Sequence, residues 1–280
     1  MEFTKMHGIG NDFVVVNCMT EKIDFDLSKL AELVCNRRFG IGADGLMLVL
    51  PSAVADFKMN LYNSDGSFAE MCGNGIRCFS KYVYDKGLTN MPNISVETPA
   101  GIKNINLTIK DGKVSFATVD MGIAKLLSGG ANIELTGGGY SRSELTEILE
   151  IDGHELSILF LDTGVPHTVI FTEIANVPFY KLGPIIESHP RFPAKTNVDF
   201  TEVVDESHVV VRVWERGAGE TMACGTGACA AAISSYLMGF TGSHVDVKLP
   251  GGSLMIDIAE DGHILMCGPA TEVYTGTFEI

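Results

Sequence analysis

Glu70-Met71-Cys72-Gly73-Asn74-Gly75-Ile76-Arg77-Cys78 reads as a glycine-rich turn that opens a helix, with a cysteine at the opening. The device returns as Met222-Ala223-Cys224-Gly225-Thr226-Gly227-Ala228-Cys229, 152 residues on (224 minus 72). The approach to each copy repeats too. Asn63 stands nine residues before Cys72, and Glu215 nine before Cys224. An internal duplication predicts two related halves, each with one apolar helix led by Cys-Gly. The expectation is that the two copies face each other and that Cys72 and Cys224 form one active site.

The chemistry follows from what a helix start offers. Its first N–H groups lack intrahelical acceptors and sit at the positive end of the dipole, so they attract anions. Glycine removes the Cβ and lets a carboxylate approach the backbone. The same field is expected to lower a thiol's pKa and favour its thiolate. Two such turns can grip one carboxylate and set a sulfur on each face of the adjacent carbon. That arrangement suits removal of an α-proton on one face and its return on the other, with thiolate and thiol as base and acid.

Other readings weigh against this one. A free cysteine is usually a small buried hydrophobe, which is the reading for Cys18, Cys35, Cys267, Cys78 and Cys229. The spacings 72/78 and 224/229 splay side chains around a helix at about 100° per residue, and no paired histidines complete a metal set. Neither loop has the Lys-Ser/Thr ending of a P-loop, and no C-x-x-C is present. Asn11, Asn63, Asn197, Glu215 and Arg216 lie at strand ends or turns that can rim a cleft, and Glu215-Arg216 can hold an ammonium and a carboxylate. His7 and His167, beside glycine turns, read as structural hydrogen-bonding residues.

Composition narrows the partners. Lys+Arg 20 against Asp+Glu 35 gives a net charge of −15, without a basic run. This argues against nucleic acid and anionic membrane. No apolar run approaches the ~18 residues of a membrane span, and the seven cysteines, odd in count and irregularly spaced, fit a reducing cytoplasm.

Along the chain, residues 3–17 read as strand, glycine turn and strand. Ser28 is the expected cap of a helix to about Arg38 with a Leu30, Leu33, Val34 stripe. Strands are expected at 46–50, 57–62, 94–98, 103–109 and 113–120. The composition loosens at 128–130 and 137–139, placing the second half near residue 120. Further strands are expected at 155–161, 168–171, 196–200, 207–215, 244–249, 253–259, 263–267 and 272–279, with a short helix over 180–187. The Cys72 helix is expected to stop at Gly87 and the Cys224 helix at Gly239. The second is too apolar for a surface and should be wrapped by strands.

The chain resembles the diaminopimelate epimerases, amino-acid racemases that work without pyridoxal phosphate. The resemblance rests on Lys5-Met6-His7-Gly8-Ile9-Gly10-Asn11-Asp12-Phe13, Gly42-Ala43-Asp44-Gly45, Tyr62-Asn63-Ser64-Asp65-Gly66 and the Cys72 loop. It continues through Thr196-Asn197-Val198, Glu215-Arg216-Gly217, the Cys224 loop, Pro250-Gly251-Gly252 and Gly268-Pro269-Ala270. It implies an α/β (α+β) fold of two pseudo-symmetric domains, 1–119 plus 271–280 and 120–270. Each would be a mostly antiparallel curled sheet or barrel around a central helix, with the active site in the cleft between them. It implies Cys72 and Cys224 as the acid/base pair acting on LL-diaminopimelate to give the meso isomer, in lysine biosynthesis. Gly73-Asn74 and Gly225-Thr226 would bind the reacting carboxylate, and Asn11, Asn63, Asn197, Glu215 and Arg216 the rest of the substrate. No metal or cofactor is implied; a cytoplasmic homodimer is. One position departs from the pattern. Where the family usually has Gly-Asn-Pro-His, this chain has Gly164-Val165-Pro166-His167. Val165 cannot hydrogen-bond through its side chain, a loss worth ~1–3 kcal/mol if a polar group is left unpaired. Water or a neighbour covers it, or another amino acid such as histidine is the substrate. An amino-acid binding protein with two inert thiols is the non-enzymatic alternative.

Overall fold

The computed structural model describes residues 1–136 and 140–279, so the expected loosening at 137–139 lies outside the described residues. The chain forms two compact units, Met1–Val119 with Cys267–Ile280, and Asp120–Met266. The returning segment begins at Cys267, against an expected start at 271. Arg77 ties this segment to the first unit by donating from Nε to Pro269 O at 3.4 Å.

The first unit starts with the antiparallel hairpin Glu2–Gly8 and Asn11–Asn17. Its turn residues Ile9 and Gly10 both have positive φ, +47° and +93°, as a primed two-residue hairpin turn requires. Helix α1 (Leu27–Cys35) carries the chain to Gly45–Leu50, which pairs parallel to Asn11–Asn17. Asp26, not Ser28, caps α1, its carboxylate accepting from Lys29 N at 2.9 Å. Ser28 is already helical, and its hydroxyl donates to Gly66 O instead. Leu30 and Val34 are buried but Leu33 is 40% exposed, because the helix offers its core face at Leu30, Ala31, Val34 and Cys35. Phe57–Asn63 follows antiparallel to Gly45–Leu50, with the short strand Phe68–Ala69 on its far edge.

Helix α2 (Gly73–Asp85) comes next. It packs against Glu2–Gly8, Asn11–Asn17, Gly45–Leu50, Phe57–Asn63, Gly101–Lys110 and the tail strand Thr271–Thr277. It ends as expected, with Gly87 at φ +72°, its N–H bonding Tyr84 O and that of Leu88 bonding Val83 O, a Schellman close. Asn93–Thr98 then runs parallel to Phe57–Asn63, followed by the meander Gly101–Lys110 and Lys113–Ile123. The tail strand pairs antiparallel with Glu2–Gly8.

The second unit repeats the plan. The hairpin His154–Asp162 and Pro166–Phe171 leads through two short helical segments, after an initial four-residue helix α3 (Arg142–Leu145) and the strand Glu147–Ile151. Those segments are a single helical turn at Ile174–Asn176 and α4 (Phe179–Glu187). Asn197–Asp205 returns parallel to Pro166–Phe171, and His208–Glu215 pairs antiparallel to it. The two-residue strand Gly219–Glu220 precedes α5 (Gly225–Leu237). His244–Leu249 then runs parallel to His208–Glu215, with Gly252–Ile258 antiparallel beyond it. Even the register agrees: Phe57 faces Val96 in one unit and Val209 faces Val247 in the other. Helix α5 packs against the strands of its unit, Asn197–Asp205 and Gly252–Ile258 foremost. Ala228, Ala230, Ala231 and Ala232 are wholly buried, and their small side chains let the strands close around it. Each unit is therefore a largely antiparallel sheet curled round one central helix.

Candidate active site

Each central helix begins at a cysteine. Cys72 and Cys224 are the N-caps of α2 and α5, with extended backbone (φ −144° and −126°). Each sulfur accepts the N–H three residues on, Gly75 N at 3.3 Å and Gly227 N at 3.4 Å. This is the place usually taken by a Ser or Asp oxygen. Gly73, Asn74 and Gly225 are buried, while Thr226 is half-buried.

Around Cys72 the side chains form a chain. The thiol donates to Asn11 Oδ1 at 3.5 Å, and Asn74 Nδ2 donates to the same oxygen at 3.2 Å. Asn11 Nδ2 donates to Asp44 Oδ2 at 2.7 Å. At the other end, Arg77 donates to Asn74 Oδ1 at 2.9 Å and to Gly73 O at 3.1 Å. Arg77 is wholly buried. Beside this chain, Asp12 pairs with Lys5 and Arg37, both at 2.7 Å. Burial works against the Asp12 carboxylate, but hydrogen bonds and charge from Arg37 and Lys5 outweigh it and hold its pKa at about 2.

The Cys224 surroundings differ. Its sulfur lies 3.4 Å from Thr226 Oγ1, which lies 3.0 Å from His167 Nε2. His167 Nδ1 is 2.7 Å from Asp199 Oδ2. Glu215 accepts from the Thr221 hydroxyl. The sequence reading expected the helix start to lower this thiol's pKa. It is instead raised well above the ordinary value: burial, then the negative charges of Glu215 and Asp199, outweigh the donors Thr226 and Gly227. Burial also raises Glu215. Cys78 and Cys35 are pushed up to about 12 by burial, which leaves them as inert core thiols.

The structure gathers Asn11, Cys72 and Asn74 in one hydrogen-bonded group. It gathers Cys224 and Thr226 in a second, which continues through His167 to Asn197 and Arg216. Asn197 donates to Pro166 O at 3.2 Å, lies 3.4 Å from His167 Nε2, and accepts Arg216 N at 2.8 Å. The Arg216 guanidinium is exposed and donates to Ala194 O. Asn63 is exposed at its strand end and donates to Ser67 Oγ, outside the first group. His7 keeps a turn role, accepting Gly10 N at 3.3 Å. Val165 is half-buried in the turn before His167. Sequence reasoning missed Asp44, Asp199 and Arg77. For Asp199 the available signal was a carboxylate inside an otherwise apolar strand, Val198-Asp199-Phe200; Asp44 and Arg77 stood in motifs without a role of their own.

Comparison with known proteins agrees with the repeat. The family model described as "Diaminopimelate epimerase" matches residues 3–127 and 159–273. A protein of Acetivibrio thermocellus named diaminopimelate epimerase is 48% identical, covering 100% of this chain and 99% of its own. One from Methanococcus maripaludis with that name is 47% identical, covering 100% of both. Among solved structures, a hydroxyproline epimerase from Agrobacterium vitis is similar in fold, at TM-score 0.73 and 16% identity, covering 99% of this chain and 91% of that one. So is a PhzF-family phenazine biosynthesis protein of Bacillus anthracis, at TM-score 0.74 and 18% identity, covering 100% and 99%. With the two cysteine-capped helices set in the same strand order, the chain belongs to the diaminopimelate epimerase family of isomerases.

Proposed function

We propose that the protein interconverts LL- and meso-diaminopimelate, with Cys72 and Cys224 as its two proton-transfer groups. One sulfur takes the α-proton as a thiolate while the other returns a proton as a thiol, and the roles swap with direction. The carbanion spreads charge into the α-carboxylate, which the helix starts at Gly73-Asn74 and Gly225-Thr226 bind. Asn11, Asn63, Asn197, Glu215 and Arg216 hold the remainder of the substrate. No cofactor or metal takes part in this scheme. The observation that carries it is the paired capping geometry: in both units the sulfur itself closes the helix start. We place the protein in the cytoplasm as a homodimer, which light scattering tests.

Val165 supports a second reading, in which the distal end of another amino acid is accepted. Deuterium uptake from heavy water separates the possibilities across LL- and meso-diaminopimelate, histidine, lysine, glutamate and proline. The proposal expects α-carbon exchange with the diaminopimelate isomers alone. It also expects losses of at least about 100-fold in Cys72→Ala and in Cys224→Ala. Exchange with histidine but not diaminopimelate moves the specificity. No exchange with any of them leaves a binding protein.

A further inference from the structure

Amide side chains have no built-in direction, since the oxygen and nitrogen ends are alike in shape. In the first unit both ends of an amide chain are anchored by groups that cannot reverse. Arg77 has only donors, and it donates to Asn74 Oδ1 at 2.9 Å. That commits Asn74 Nδ2 to its other neighbour, Asn11 Oδ1, at 3.2 Å. An ionised carboxylate has only acceptors, and Asp44 Oδ2 takes Asn11 Nδ2 at 2.7 Å. The carboxylate is itself held. Its Oδ2 also accepts Asp12 N at 3.0 Å, and its Oδ1 accepts Arg37 Nη2 at 2.7 Å. Its backbone N–H donates to Asp12 O at 2.9 Å and to Asp12 Oδ1 at 3.0 Å. Donor direction therefore runs one way from Arg77 to Asp44, and the Asn11 carbonyl oxygen is left facing Cys72 Sγ at 3.5 Å.

We propose that Asp44 is a positioning residue for Cys72: it locks the Asn11 amide so that a carbonyl oxygen, and not an NH2 group, meets the sulfur. This rests on Cys72 being a proton-transfer group. A carbonyl oxygen accepts from S–H and repels S⁻, so the lock favours the thiol and opposes the Gly75 N–H, which favours the thiolate. The Cys224 surroundings differ: its sulfur meets the Thr226 hydroxyl, which can donate or accept, and the Glu215 carboxylate rather than a side-chain amide.

Among the described residues of the first unit, further charged and titratable groups stand near Cys72. On the strand side are Lys5, Asp12, Arg37 and Asp44, with Asp12 paired to both cations. His7 accepts Gly10 N in the hairpin turn. On the helix are Arg77 and the core thiol of Cys78, and Met47 packs toward Gly75. Glu70 precedes the cap by two residues.

The test is the pH dependence of Cys72 alkylation by iodoacetamide, read residue by residue by mass spectrometry, with Cys224 in the same molecules as a reference. Asp44→Ala frees the amide to turn its NH2 toward the sulfur, and the Cys72 midpoint is expected to fall by about one pH unit, tenfold in thiolate fraction. Asn11→Ala is expected to lower it as well. The double variant should fall no further than Asn11→Ala alone, because Asp44 acts through Asn11. Shifts that add in the double variant would show that Asp44 acts by its own charge, and an unmoved midpoint in Asp44→Ala would show that it does not act; either overturns the proposal. Should Asp44→Ala not fold, neutron diffraction on the unaltered protein decides: deuterons belong on the Asn11 atom nearer Asp44, and deuterons on the atom nearer Cys72 refute the lock. Alkylation and diffraction read the lock without turnover, so they stand apart from the substrate assignment.

Discussion

His167 Nδ1 lies 2.7 Å from Asp199 Oδ2, and neither side chain has any exposed surface. The other carboxylate oxygen, Asp199 Oδ1, is buried without a hydrogen-bond partner. It is aimed at Gly227, where a Cβ would stand 2.5 Å from it. A buried carboxylate with one unpaired oxygen is costly, so His167 and the closeness of the helix start must hold it in place.

Removing that carboxylate should expose the dependence. Asp199→Ala leaves His167 Nδ1 without its partner, at a cost of about 1–3 kcal/mol. Urea unfolding of the variant should show a lowered midpoint, and turnover should fall because Thr226 loses its ordered neighbour. A midpoint equal to the parent's would mean the pair contributes nothing.

The two glycines three residues after the capping cysteines should respond unequally to alanine. At Gly227 the new methyl meets a buried, immobile carboxylate oxygen at 2.5 Å; at Gly75 it meets the flexible end of Met47 at 3.1 Å. Gly227→Ala is expected to cost roughly 1–3 kcal/mol as overpacking, and Gly75→Ala distinctly less. Thermal melts of the two variants side by side check the order.

Glu215 should set the ionisation of Cys224. Its negative charge is one reason the thiol's pKa is raised. Glu215→Gln removes the charge and keeps the shape, so Cys224 alkylation should begin at lower pH. The Cys72 profile serves as the comparison. An unchanged or higher midpoint at Cys224 would contradict the assignment.

The Lys5–Asp12–Arg37 cluster predicts an acid limb of stability. The folded Asp12 pKa, about 2, lies below the ordinary 3.8. A depressed carboxylate contributes stability above the unfolded value, and that stability is lost as pH falls from about 4 towards 2. The contribution is up to ~2 kcal/mol. Asp12→Asn should lower the urea midpoint at pH 7 and flatten its decline in that window.

Much of the architecture was legible because it is local. The strand Val209–Val213 alternates, with Val209, Val211 and Val213 buried. Both central helices announce themselves by Cys-Gly at the start and a left-handed glycine at the end, and both stop at Gly87 and Gly239 as read. The start of α1 is ambiguous in the sequence because Asp26 and Ser28 are both good capping residues. Only the three-dimensional path decides which oxygen points back at Lys29 N.

By itself, then, the sequence determined the duplicated plan, the family and the two capping cysteines, since periodicity, capping and glycine turns act over a few residues. The tertiary structure alone decided the partners of those cysteines. Asp44 is 33 residues from Asn11, and Asp199 is 32 from His167. Arg77 carries a full charge, and it is the fold that buries it completely. Whether a helix start lowers a thiol's pKa or burial raises it is a contest between a local dipole and the surrounding dielectric and charges. Those surroundings exist only once distant segments have closed around the sulfur.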